Sequence, residues 1–465
     1  MSHDYDVLII GGGPAGIKCA LELGKAGKKV GLVEKEEIGG TCLNQGCIPS
    51  KTYLYLAELF ENIKKAKRHG IHVSEPEILW EEAKKRKDMN VKMLGMGLKK
   101  SLEAHHIEII SGEGKLVGKN EVLIQNTDGE KRISAECIVL AMGSTALFLP
   151  IMQKGEHVIS AKELLDIDHI PQSLVIIGGG VTGVEMASVF SVLGTKVTII
   201  EKMPSLLPAQ DPEITEVLKK SLQKKGCEIC LGAEVICCKE SGIRNQELGK
   251  GNVEIVYKNA AGEESSFSVE KALIVIGRVP NYDLSELEKI GIKNNGRRVV
   301  LSDHLQTSAL NVYMIGDAGG KNLTAYGGER EGESVAAHIL GNDRKINSHY
   351  FPVTVFSHPE VAQIGSTEEE LRQKGIEFEV RRGNYAANGK AVIMGEREGI
   401  AKILVEKKSK KILGVHIIGV HAADLIHQAI LPVMKEMTLS EWNEMVWSHP
   451  VLSEVLKSAL ESDAE

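Results

Sequence analysis

The sequence predicts an α/β protein, because two glycine-rich turns each join an apolar strand pattern to a helical pattern and because the chain is long and rich in glycine. The chain has 465 residues, which exceeds what one hydrophobic core usually spans, so about three domains are expected. Its 48 glycines cluster at the ends of apolar runs, where tight strand-to-helix turns require them. The elements on either side of the two turns therefore identify the fold.

The first turn lies in a complete unit of strand, turn, helix and strand. The apolar run YDVLII, residues 5–10, is followed by GGGPAG, by a helical pattern over residues 14–26 and by a second apolar run, KVGLVE. Three glycines fill the positions of a dinucleotide-binding fingerprint: Gly11, Gly13 and Gly16. The helix N-terminus would face the phosphates with its positive dipole. Glu34 ends the second strand, 21 residues after Gly13 (34 − 13), where a carboxylate binds a pair of ribose hydroxyls.

The same pattern returns at residues 173–201. SLVII is followed by GGGVTG, by a helical pattern and by KVTIIE, which ends at Glu201. The fingerprint glycines are Gly178, Gly180 and Gly183. Glu201 again lies 21 residues after the second glycine (201 − 180). An acid at this position binds a free 2′-hydroxyl and repels a 2′-phosphate, so the second unit should prefer NAD to NADP. The adjacent Lys202 would soften this preference without reversing it.

Two cysteines follow the first unit, in GGTCLNQGCIPSK at residues 39–51. In a regular helix the Cα atoms of residues i and i+5 are about 8.6 Å apart, whereas a disulfide needs less than roughly 7 Å. Regular helix therefore cannot run through both Cys42 and Cys47 if they are bridged. Gly46 and Pro49 would let the chain bend, with a helix beginning at Pro49 or soon after. A bridge that closes so short a loop is a weak staple, so the spacing favours redox chemistry over structural support.

Charge and hydropathy argue against several classes of function. The net charge is −7 and the isoelectric point is about 6.2, which argues against a nucleic-acid surface. No apolar run reaches the roughly 18 residues that span a bilayer. The first strand begins within a few residues of Met1, which leaves no room for a signal segment. We therefore expect a cytoplasmic protein, or one already processed, with neither nucleic acid nor membrane as a partner.

Six further cysteines lie outside the pair. Cys19 and Cys137 fall in apolar runs and are expected to be buried small hydrophobic residues. Four others lie in one β-rich region: Cys227, Cys230, Cys237 and Cys238. Their residue type suits a zinc site, but neighbours on a strand point to opposite faces, which Cys237 and Cys238 would do. No metal site is therefore expected.

Several later motifs carry a family resemblance. They are IVLAMGS at residues 138–144, GRVPN at 277–281, VYMIGDA at 312–318, LTAY at 323–326 and SHPVLSE at 448–454. With the two glycine turns and the cysteine motif, they make the chain resemble the FAD-dependent pyridine nucleotide-disulfide oxidoreductases along essentially its whole length. The resemblance implies two Rossmann-like domains, one for FAD and one for NAD, and a C-terminal α+β dimerisation domain. The implied borders are 1–145 and 276–346 for the FAD-binding domain, 146–275 for the NAD-binding domain and 347–465 for the dimerisation domain.

The resemblance also implies which residues bind the two cofactors. FAD would contact residues from both parts of its domain: Gly11, Gly13, Pro14, Ala15, Gly16, Glu34, Lys35, Thr41, Lys51, Gly114, Met142, Gly143, Ser144, Asp317, Leu323, Thr324, Ala325 and Tyr326. NAD would contact residues of the second unit and its surroundings: Gly178, Gly180, Val181, Gly183, Glu185, Glu201, Val235 and Gly277. Asp317 matches the aspartate that holds the flavin ribityl chain in the family. Lys51 and Glu185 would pair near the flavin N5; without the resemblance, each is better explained as a solvated helix charge.

Four residues match the family's catalytic groups: Cys42, Cys47, His449 and Glu454. The resemblance implies that Cys42 exchanges with the substrate and that Cys47 faces the flavin. His449, oriented by Glu454, would accept the thiol proton and would come from the opposite subunit of a homodimer. Without the resemblance, His449 is better interpreted as a surface histidine in a turn, with Ser453 as a helix N-cap.

The implied substrates are lipoyl groups on the acyltransferase subunit of 2-oxoacid dehydrogenases or on a glycine-cleavage carrier protein, with NAD⁺ as electron acceptor. Two alternatives stay open: another NAD(P)H-dependent disulfide reductase of the same family, and a flavin-loaded redox sensor or scaffold without turnover. The last cysteine is Cys238, which disfavours family members that carry a C-terminal redox pair. The positions that depart from the family pattern are Met142, Gly389, Lys390, His421 and Asp424. They bear on the interface and on fine substrate preference.

Overall fold

The computed structural model describes residues 3–241, 252–320 and 322–464. Within these ranges the α-helices are α1 (Pro14–Lys25), α2 (Gly40–Gln45), α3 (Cys47–Lys65), α4 (Trp80–Ala104), α5 (Ala161–Leu164), α6 (Val181–Val192), α7 (Pro212–Lys224), α8 (Leu284–Lys289), α9 (Ala325–Ile339), α10 (Glu368–Gln373), α11 (Gly389–Met394), α12 (Ala422–Leu425), α13 (His427–Met434), α14 (Leu439–Asn443) and α15 (Glu454–Glu461). The strands are β1 (Tyr5–Ile10), β2 (Val30–Glu34), β3 (Glu108–Ser111), β4 (Glu113–Gly118), β5 (Glu121–Asn126), β6 (Gly129–Leu140), β7 (Ser144–Ala146), β8 (Val158–Ile159), β9 (Ser173–Ile177), β10 (Lys196–Glu201), β11 (Glu228–Leu231), β12 (Glu234–Ser241), β13 (Asn252–Lys258), β14 (Glu264–Val269), β15 (Lys271–Ile274), β16 (Arg278–Pro280), β17 (Val312–Met314), β18 (Val353–Val355), β19 (Glu360–Gly365), β20 (Phe378–Asn384), β21 (Ile400–Glu406) and β22 (Ile412–Gly419).

The chain divides into two compact units, each built from separate segments. Unit 1 comprises Met1–Ser50, Glu82–Leu147 and Gly277–Ser348, and unit 2 comprises Lys51–Glu81, Phe148–Ile276 and His349–Glu465. Three limits between the units fall within two residues of the predicted borders after 145, 275 and 346. Residues 51–81 were predicted to belong to the first domain but group with unit 2. The predicted borders stay predictions as domain borders, including the one at 346 between the FAD-binding return and the dimerisation domain.

A mixed sheet forms the centre of unit 1. Its parallel part has the order β3-β2-β1-β6, and β17 pairs with β6 on the side away from β1. β4, β5 and the first half of β6 form an antiparallel ribbon. Alternate residues of β1 serve two cores: Val7 and Ile9 pack with α1 and α9, and Leu8 and Ile10 pack with the ribbon. Burial on both faces explains why β1 is apolar throughout.

Unit 2 contains a second parallel sheet, with the order β11-β10-β9-β15-β8. The helix α6 joins β9 to the adjacent parallel strand β10, so the second glycine turn lies at the carboxyl end of β9. This is the end of a parallel strand where such sheets bind ligands. Beside it stands an antiparallel sheet of three strands, β12-β13-β14.

The C-terminal part of unit 2 is an antiparallel sheet covered by helices. The sheet has the order β18-β19-β22-β21-β20. One core joins Ile403 and Ile417 of the sheet with Val455 and Leu456 of α15. A side chain at Gly383 in β20 would place its Cβ 2.0 Å from the Val455 carbonyl oxygen, so α15 packs directly on the strand. This packing holds the start of α15, and the loop before it, against the sheet. The predicted α/β class with a C-terminal α+β part is confirmed.

The cysteine segment bends as predicted but begins its second helix earlier. α2 ends at Gln45 and α3 begins at Cys47, so the helix is interrupted at Gly46 between the two cysteines. The prediction that α3 begins at Pro49 or later is wrong. The Ser50 amide donates to the Gly46 carbonyl oxygen at 2.9 Å, so Pro49 falls in the first turn of the helix. A proline is tolerated there because the first amides of a helix have no partner within it.

The described ranges also bear on membrane-spanning helices and on metal sites. Among helices in those ranges, none combines the length and apolar character needed to cross a membrane. Within the same ranges, His, Cys, Asp and Glu side chains form no group of three or more that would hold a metal ion. Cys238 is buried in β12 and its neighbour Cys237 is partly exposed, as expected for adjacent positions on a strand.

Candidate active site

The first glycine turn has no room for side chains. Gly11 has a φ of +112°, and a Cβ there would lie 2.2 Å from the Ala141 carbonyl oxygen. A Cβ at Gly16 would lie 2.0 Å from the Gly11 carbonyl oxygen. Gly13 caps α1 with extended backbone, and Pro14 is the first helical residue. Among the described residues, no side chain caps this helix and its first turn has no acid, so the N-terminal amides suit a phosphate.

The second glycine turn repeats this geometry. Gly178 has a φ of +116°, and a Cβ there would lie 2.5 Å from the Val275 carbonyl oxygen. A Cβ at Gly183 would lie 2.0 Å from the Gly178 carbonyl oxygen. Gly180 caps α6, again with no side-chain cap from the described residues and no acid in the first turn. Both turns therefore fit the pyrophosphate of a dinucleotide.

The two predicted ribose acids are held by equivalent amides. Glu34 accepts hydrogen bonds from the Gly12 amide at 2.7 Å and the Glu36 amide at 2.8 Å. Each carboxylate oxygen has two lone pairs, so acceptor sites are left for ribose hydroxyls. The amides fix the direction in which each carboxylate points. Glu201 accepts from the corresponding amides of Gly179 at 2.5 Å and Met203 at 2.7 Å.

The lysine that follows each acid is paired elsewhere. Lys35 Nζ lies 3.2 Å from Glu113 Oε1, and Lys202 Nζ lies 2.6 Å from Glu234 Oε1. Glu113 and Glu234 each precede a residue predicted to contact a cofactor, Gly114 and Val235. The Gly114 Cα is packed so closely that a Cβ would lie 3.0 Å from Ile10 Cγ2. Val235 is buried in the core of unit 2, so its predicted contact with NAD stays a prediction.

The cysteine-bearing segment begins against the first glycine turn. The Gly39 amide donates to the Gly12 carbonyl oxygen at 2.7 Å. A Cβ at Gly40 would lie 2.7 Å from the Gly13 Cα, so the start of α2 touches the turn that would hold the pyrophosphate. Thr41 and Cys42 follow directly on α2. Cys42 and Cys47 are both partly exposed.

Residues 144, 278 and 317 converge in unit 1. The Ser144 hydroxyl donates to the Asp317 carboxylate. Arg278 Nε donates to Ser144 Oγ at 2.7 Å, and Arg278 Nη2 donates to the Ser144 carbonyl oxygen at 2.6 Å. Ser144 and Asp317 were predicted, but Arg278 was not, although it lies in the GRVPN motif. The arginine therefore fixes Ser144, and through it the aspartate predicted to hold the ribityl chain.

The remaining predicted flavin residues of unit 1 lie in two further segments. Asn281 Nδ2 donates to the Met142 carbonyl oxygen at 2.9 Å. Gly143 has a φ of +69°, a conformation that favours glycine. The predicted residues at the start of α9 are Leu323, Thr324, Ala325 and Tyr326. Thr324 caps this helix, because its hydroxyl accepts from the Gly327 amide at 3.2 Å. Burial raises the pKa of Tyr326.

Lys51 and Glu185 form an ion pair in unit 2. Lys51 Nζ lies 2.8 Å from Glu185 Oε2, and Glu185 is buried. The Phe356 amide donates to Glu185 at 3.0 Å, and the Lys51 ammonium lies 4.6 Å from the centre of the Phe356 ring. The alternative of two solvated helix charges is wrong for this pair. Phe356 was not predicted, and no signal in the sequence marks it.

Two residues lie in a different unit from most of the residues that were predicted to contact the same cofactor. Lys51 was predicted to contact FAD and belongs to unit 2, and Gly277 was predicted to contact NAD and belongs to unit 1. Gly277 has a φ of +145°, which favours glycine. Val181, also predicted for NAD, is the first residue of α6 and is exposed. The cofactor contacts of these three residues stay predictions.

His449 and Glu454 are hydrogen-bonded to each other. His449 Nδ1 lies 3.0 Å from Glu454 Oε1 and 3.2 Å from Oε2. The Val451 amide also donates to Glu454, at 3.0 Å. The Val451 amide, followed by His449, lowers the pKa of Glu454, so this side chain is a carboxylate at neutral pH. The His449 side chain is 75% exposed, which leaves its Nε2 edge open to another molecule.

Two positions that depart from the family pattern lie near functional or strained backbone. A Cβ at Gly389 would lie 3.7 Å from His449 Cε1, so this glycine lies beneath the imidazole. His421 has a φ of +58°, and its Nδ1 lies 3.8 Å from Asp424 Oδ2. Both His421 and Asp424 are exposed, so this pair contributes little to stability.

Comparison with known proteins gives matches along almost the whole chain. Residues 5–333 match the family described as pyridine nucleotide-disulphide oxidoreductase, and residues 351–460 match the dimerisation domain of that family. The chain is 34% identical over 459 residues to a dihydrolipoyl dehydrogenase of Bacillus subtilis, covering 97% of each protein. It is 33% identical over 463 residues to the mitochondrial dihydrolipoyl dehydrogenase 2 of Arabidopsis thaliana, covering 98% of this chain and 90% of that one.

A solved structure shows the same fold. The HOCl-induced flavoprotein disulfide reductase RclA of Escherichia coli, solved as a Cu(II) complex, superimposes with a TM-score of 0.87 at 27% identity. The superposition covers 99% of both chains.

Proposed function

The chain belongs to the pyridine nucleotide-disulphide oxidoreductase family, and we propose that it is a dihydrolipoyl dehydrogenase that oxidises protein-bound dihydrolipoamide with FAD and NAD⁺. Two relatives that carry this name align with 97–98% of the chain, at 33–34% identity. The observation that carries the redox assignment is the start of the cysteine-bearing helix against the first glycine turn.

His449 acts as the base for the substrate dithiol. Because Glu454 engages Nδ1, the proton of the neutral imidazole lies on Nδ1, and Nε2 is left as the acceptor. An imidazole has an unperturbed pKa of about 6.5, so it accepts a thiol proton near neutral pH and returns it later. The Glu454 carboxylate stabilises the imidazolium that forms.

The two cysteines have different tasks. The substrate thiolate attacks the sulfur of Cys42 in the Cys42–Cys47 disulfide, and Cys47 leaves as a thiolate. The second substrate thiolate then displaces Cys42, which releases the substrate as a disulfide and leaves both cysteines reduced. Cys47 is the first residue of α3, where the helix dipole favours a thiolate. FAD, when bound, supplies the two-electron relay from the reduced cysteine pair to NAD⁺.

The protein is a homodimer, as its dimerisation-domain match supports. We infer further that each active site is shared, with His449 of one subunit serving the cysteines of the other. The exposure of His449, at 75% of its side chain, supports this arrangement. Lipoyl groups on an acyltransferase subunit or on a glycine-cleavage carrier are the proposed substrates. A cytoplasmic location stays a prediction.

A second candidate is reduction of a different disulfide with NADH or NADPH. It is favoured by the superposition on a flavoprotein disulfide reductase at a TM-score of 0.87 and by the unusual Gly389 beneath His449. The Glu201 carboxylate favours NADH over NADPH in either case.

Substrate comparison tests the proposal. The purified flavoprotein would be assayed with dihydrolipoamide and NAD⁺ by NADH absorbance, and with glutathione disulfide and other disulfides by oxidation of NADH or NADPH. Dihydrolipoamide with NAD⁺ should give the highest kcat/KM, by at least about tenfold, because only the correct substrate makes the full set of transition-state contacts. A higher kcat/KM for another disulfide would favour the second candidate.

Cys47→Ser should abolish NADH formation and leave the flavin bound, because the serine hydroxyl is not a leaving group in thiol exchange. Cys237→Ser in β12 is the matched control and should keep full activity. An active Cys47→Ser enzyme would show that the cysteine pair is not the redox centre and would leave the redox-sensor alternative open. Loss of flavin from Cys47→Ser would contradict the assigned roles.

A further inference from the structure

Asn388 joins two segments that meet at His449. It lies between a short 3₁₀ turn, Tyr385–Ala387, and α11, and it is buried with 5% of its surface exposed. Its Oδ1 accepts from the Ala391 amide at 3.0 Å, which caps α11. Its Nδ2 donates to the carbonyl oxygens of Val451 at 3.1 Å and Leu452 at 3.2 Å. Both donors and the acceptor of this amide are therefore used.

The two carbonyl oxygens belong to the loop that carries the histidine. This loop, residues 449–453, runs from His449 to the start of α15. The Val451 amide donates to Glu454, and Glu454 accepts from His449, so Val451 touches both Asn388 and the acid. Side chains of buried residues with satisfied hydrogen bonds are held rigidly, and those of exposed residues are not. The His449 ring is exposed, so its position depends on what holds the loop.

Gly389 lies next to the ring but leaves room for a methyl group between them. Its missing Cβ would lie 3.7 Å from His449 Cε1 and 3.8 Å from Pro450 Cβ, which is ordinary contact distance. An alanine at 389 would touch both residues, whereas the glycine leaves that space open, so the tie between this segment and the loop is the Asn388 amide. A second anchor, the packing of α15 on Gly383, acts on the far side of Glu454.

We propose that Asn388 is a positioning residue for proton transfer by His449, because its amide fixes the loop from which the imidazole and its orienting carboxylate project. This inference rests on the proposed role of His449. A loop released from Asn388 would let the imidazole move, and a displacement of about 1 Å costs on the order of 100-fold in rate. Electron transfer between NADH and the flavin does not use His449 and should be unaffected.

Asn388→Asp tests the proposal with little change in size. The aspartate keeps the oxygen that caps α11 and loses the two hydrogen bonds to the loop. We expect the rate of NADH formation from dihydrolipoamide to fall by at least about tenfold, and the limb of the pH–rate profile that reports the His449–Glu454 pair to shift. Reduction of ferricyanide by NADH, which draws electrons from the flavin, should stay within about twofold of the parent rate.

Asn384→Asp is the matched control. Asn384 also caps a turn through its side-chain oxygen, accepting from the Ala386 amide at 2.8 Å, but makes no bond to the loop. Both of its rates should stay unchanged. Asn388→Ser, which introduces no buried charge, should reproduce the selective loss if the aspartate variant does not fold.

Three outcomes would overturn the proposal. They are a parent-like dithiol rate in a folded Asn388 variant, an equal loss of the dithiol and ferricyanide rates, and a dithiol loss without any change in the pH profile. His449→Gln separates this result from the proposed function. If His449→Gln keeps the dithiol rate, the proposed role of His449 fails; if it loses that rate and folded Asn388 variants do not, only the positioning role fails.

Discussion

At the residue scale, the charge of Lys202 bears on the choice between NAD and NADP, because it follows Glu201 directly. Its ammonium lies 2.6 Å from Glu234, and the two side chains are 71% and 62% exposed. An ion pair this exposed adds little to the stability of the fold. It does determine where the positive charge lies. We expect Glu234 to keep Lys202 from a 2′-phosphate, so that the lysine does not soften the preference set by Glu201.

Glu234→Gln should therefore improve the use of NADP⁺. The ratio of kcat/KM for NADP⁺ to that for NAD⁺ should rise by about two- to fivefold, a small change because the ion pair is exposed to solvent. The gain should disappear in high salt, which screens exposed charges. Steady-state kinetics with both nucleotides measure the ratio.

Two further variants identify the cause. Adding Lys202→Met to Glu234→Gln should restore the parent ratio. Glu254→Gln breaks a similar exposed pair with Lys239, where the atoms are 3.3 Å apart, and should change nothing. An unchanged ratio in Glu234→Gln, or an equal fall for both nucleotides, would exclude the role of Glu234.

Local spacing predicted only part of the site, and the family resemblance supplied the rest, including Asp317, His449 and Glu454. The glycine turns and the two acids follow from intervals along the chain. Arg278, Phe356 and Asn388 could not be found in this way, because their partners lie 134, 171 and 63 residues away. A side chain that acts through such distant contacts leaves no periodic signal.

At the element scale, the close approach of α1 and α6 to their own glycine turns sets the geometry of both proposed dinucleotide sites. In each helix one glycine lies so near the turn that a Cβ would fall 2.0 Å from a carbonyl oxygen. Backbone cannot yield as a flexible side chain does, so an added methyl group must move the helix N-terminus. The amides that would bind phosphate move with it.

Gly16→Ala should lower the flavin content and the thermal stability, and Gly183→Ala should weaken NAD⁺ binding while FAD stays bound. Each should cost about 1–3 kcal/mol as an overpacked site. Gly97→Ala is the control: Gly97 lies within α4 with open space around it, and alanine there should stabilise by about 0.5–1 kcal/mol. Flavin absorbance, thermal unfolding and KM for NAD⁺ distinguish the three. Flavin loss from Gly183→Ala would contradict the separation of the sites.

The elements around the cysteines show why boundaries were less predictable than motifs. The sequence indicated a bend at Gly46, which the structure has, but it placed the start of α3 two residues late. Proline is compatible with any position of a first helical turn, so Pro49 alone could not locate the start. The C-terminal α+β part was expected only from the family resemblance, since the register of its antiparallel sheet depends on strands far apart in sequence.

At the scale of the whole molecule, buried charge links distant segments of unit 2. Glu61 of α3 lies 2.9 Å from Lys225 at the end of α7, 3.1 Å from Lys65 and 3.4 Å from His358 Nε2. Lys65 also lies 3.0 Å from Glu396. Burial works against ionisation of Glu61, but Lys225, His358 and Lys65 outweigh it and lower its pKa to about 2. Burial, together with Lys225, lowers the pKa of His358.

The lowered pKa values of Glu61 and His358 predict that the folded state loses stability in acid. Glu61 ionises near pH 4.5 when unfolded, so its contribution is complete above that pH and is lost as the pH falls toward about 2. His358 adds a loss in the same direction, because its unfolded form takes up a proton at a higher pH than its folded form. The melting temperature should therefore fall as the solution is acidified below about pH 6.5.

Glu61→Gln should lower the free energy of unfolding at pH 7 by on the order of 2 kcal/mol and should flatten its decline below pH 4.5. Glu216→Gln, which breaks an exposed pair with Lys219 on α7, should have little effect. Thermal unfolding measured between about pH 3 and about pH 8 compares the variants. At about pH 8 the Glu61 carboxyl is fully ionised, so this pH serves as the reference. A parent-like decline in Glu61→Gln would assign the acid sensitivity elsewhere.

Residues 51–81 group with unit 2, whereas the family resemblance places them in the FAD-binding domain, and that domain assignment stays a prediction. Motifs on either side of this segment match the FAD-binding domain, so the segment between them was predicted to belong to that domain as well. Its contacts, including that of Lys51 with Glu185 134 residues away, are made with later parts of the chain. Domain membership follows the sum of such contacts, which local patterns do not contain.

The two glycine turns match each other residue by residue at a constant distance along the chain. Gly12 and Gly179, Glu34 and Glu201, and Glu36 and Met203 are each separated by 167 residues (179 − 12, 201 − 34, 203 − 36). The same amides hold the same acid in both places, with no insertion or deletion between them. The chain thus repeats one local geometry at two places, where two backbone amides hold one carboxylate in the same way. A substitution at Gly12 or Glu34 therefore has an internal counterpart at Gly179 or Glu201.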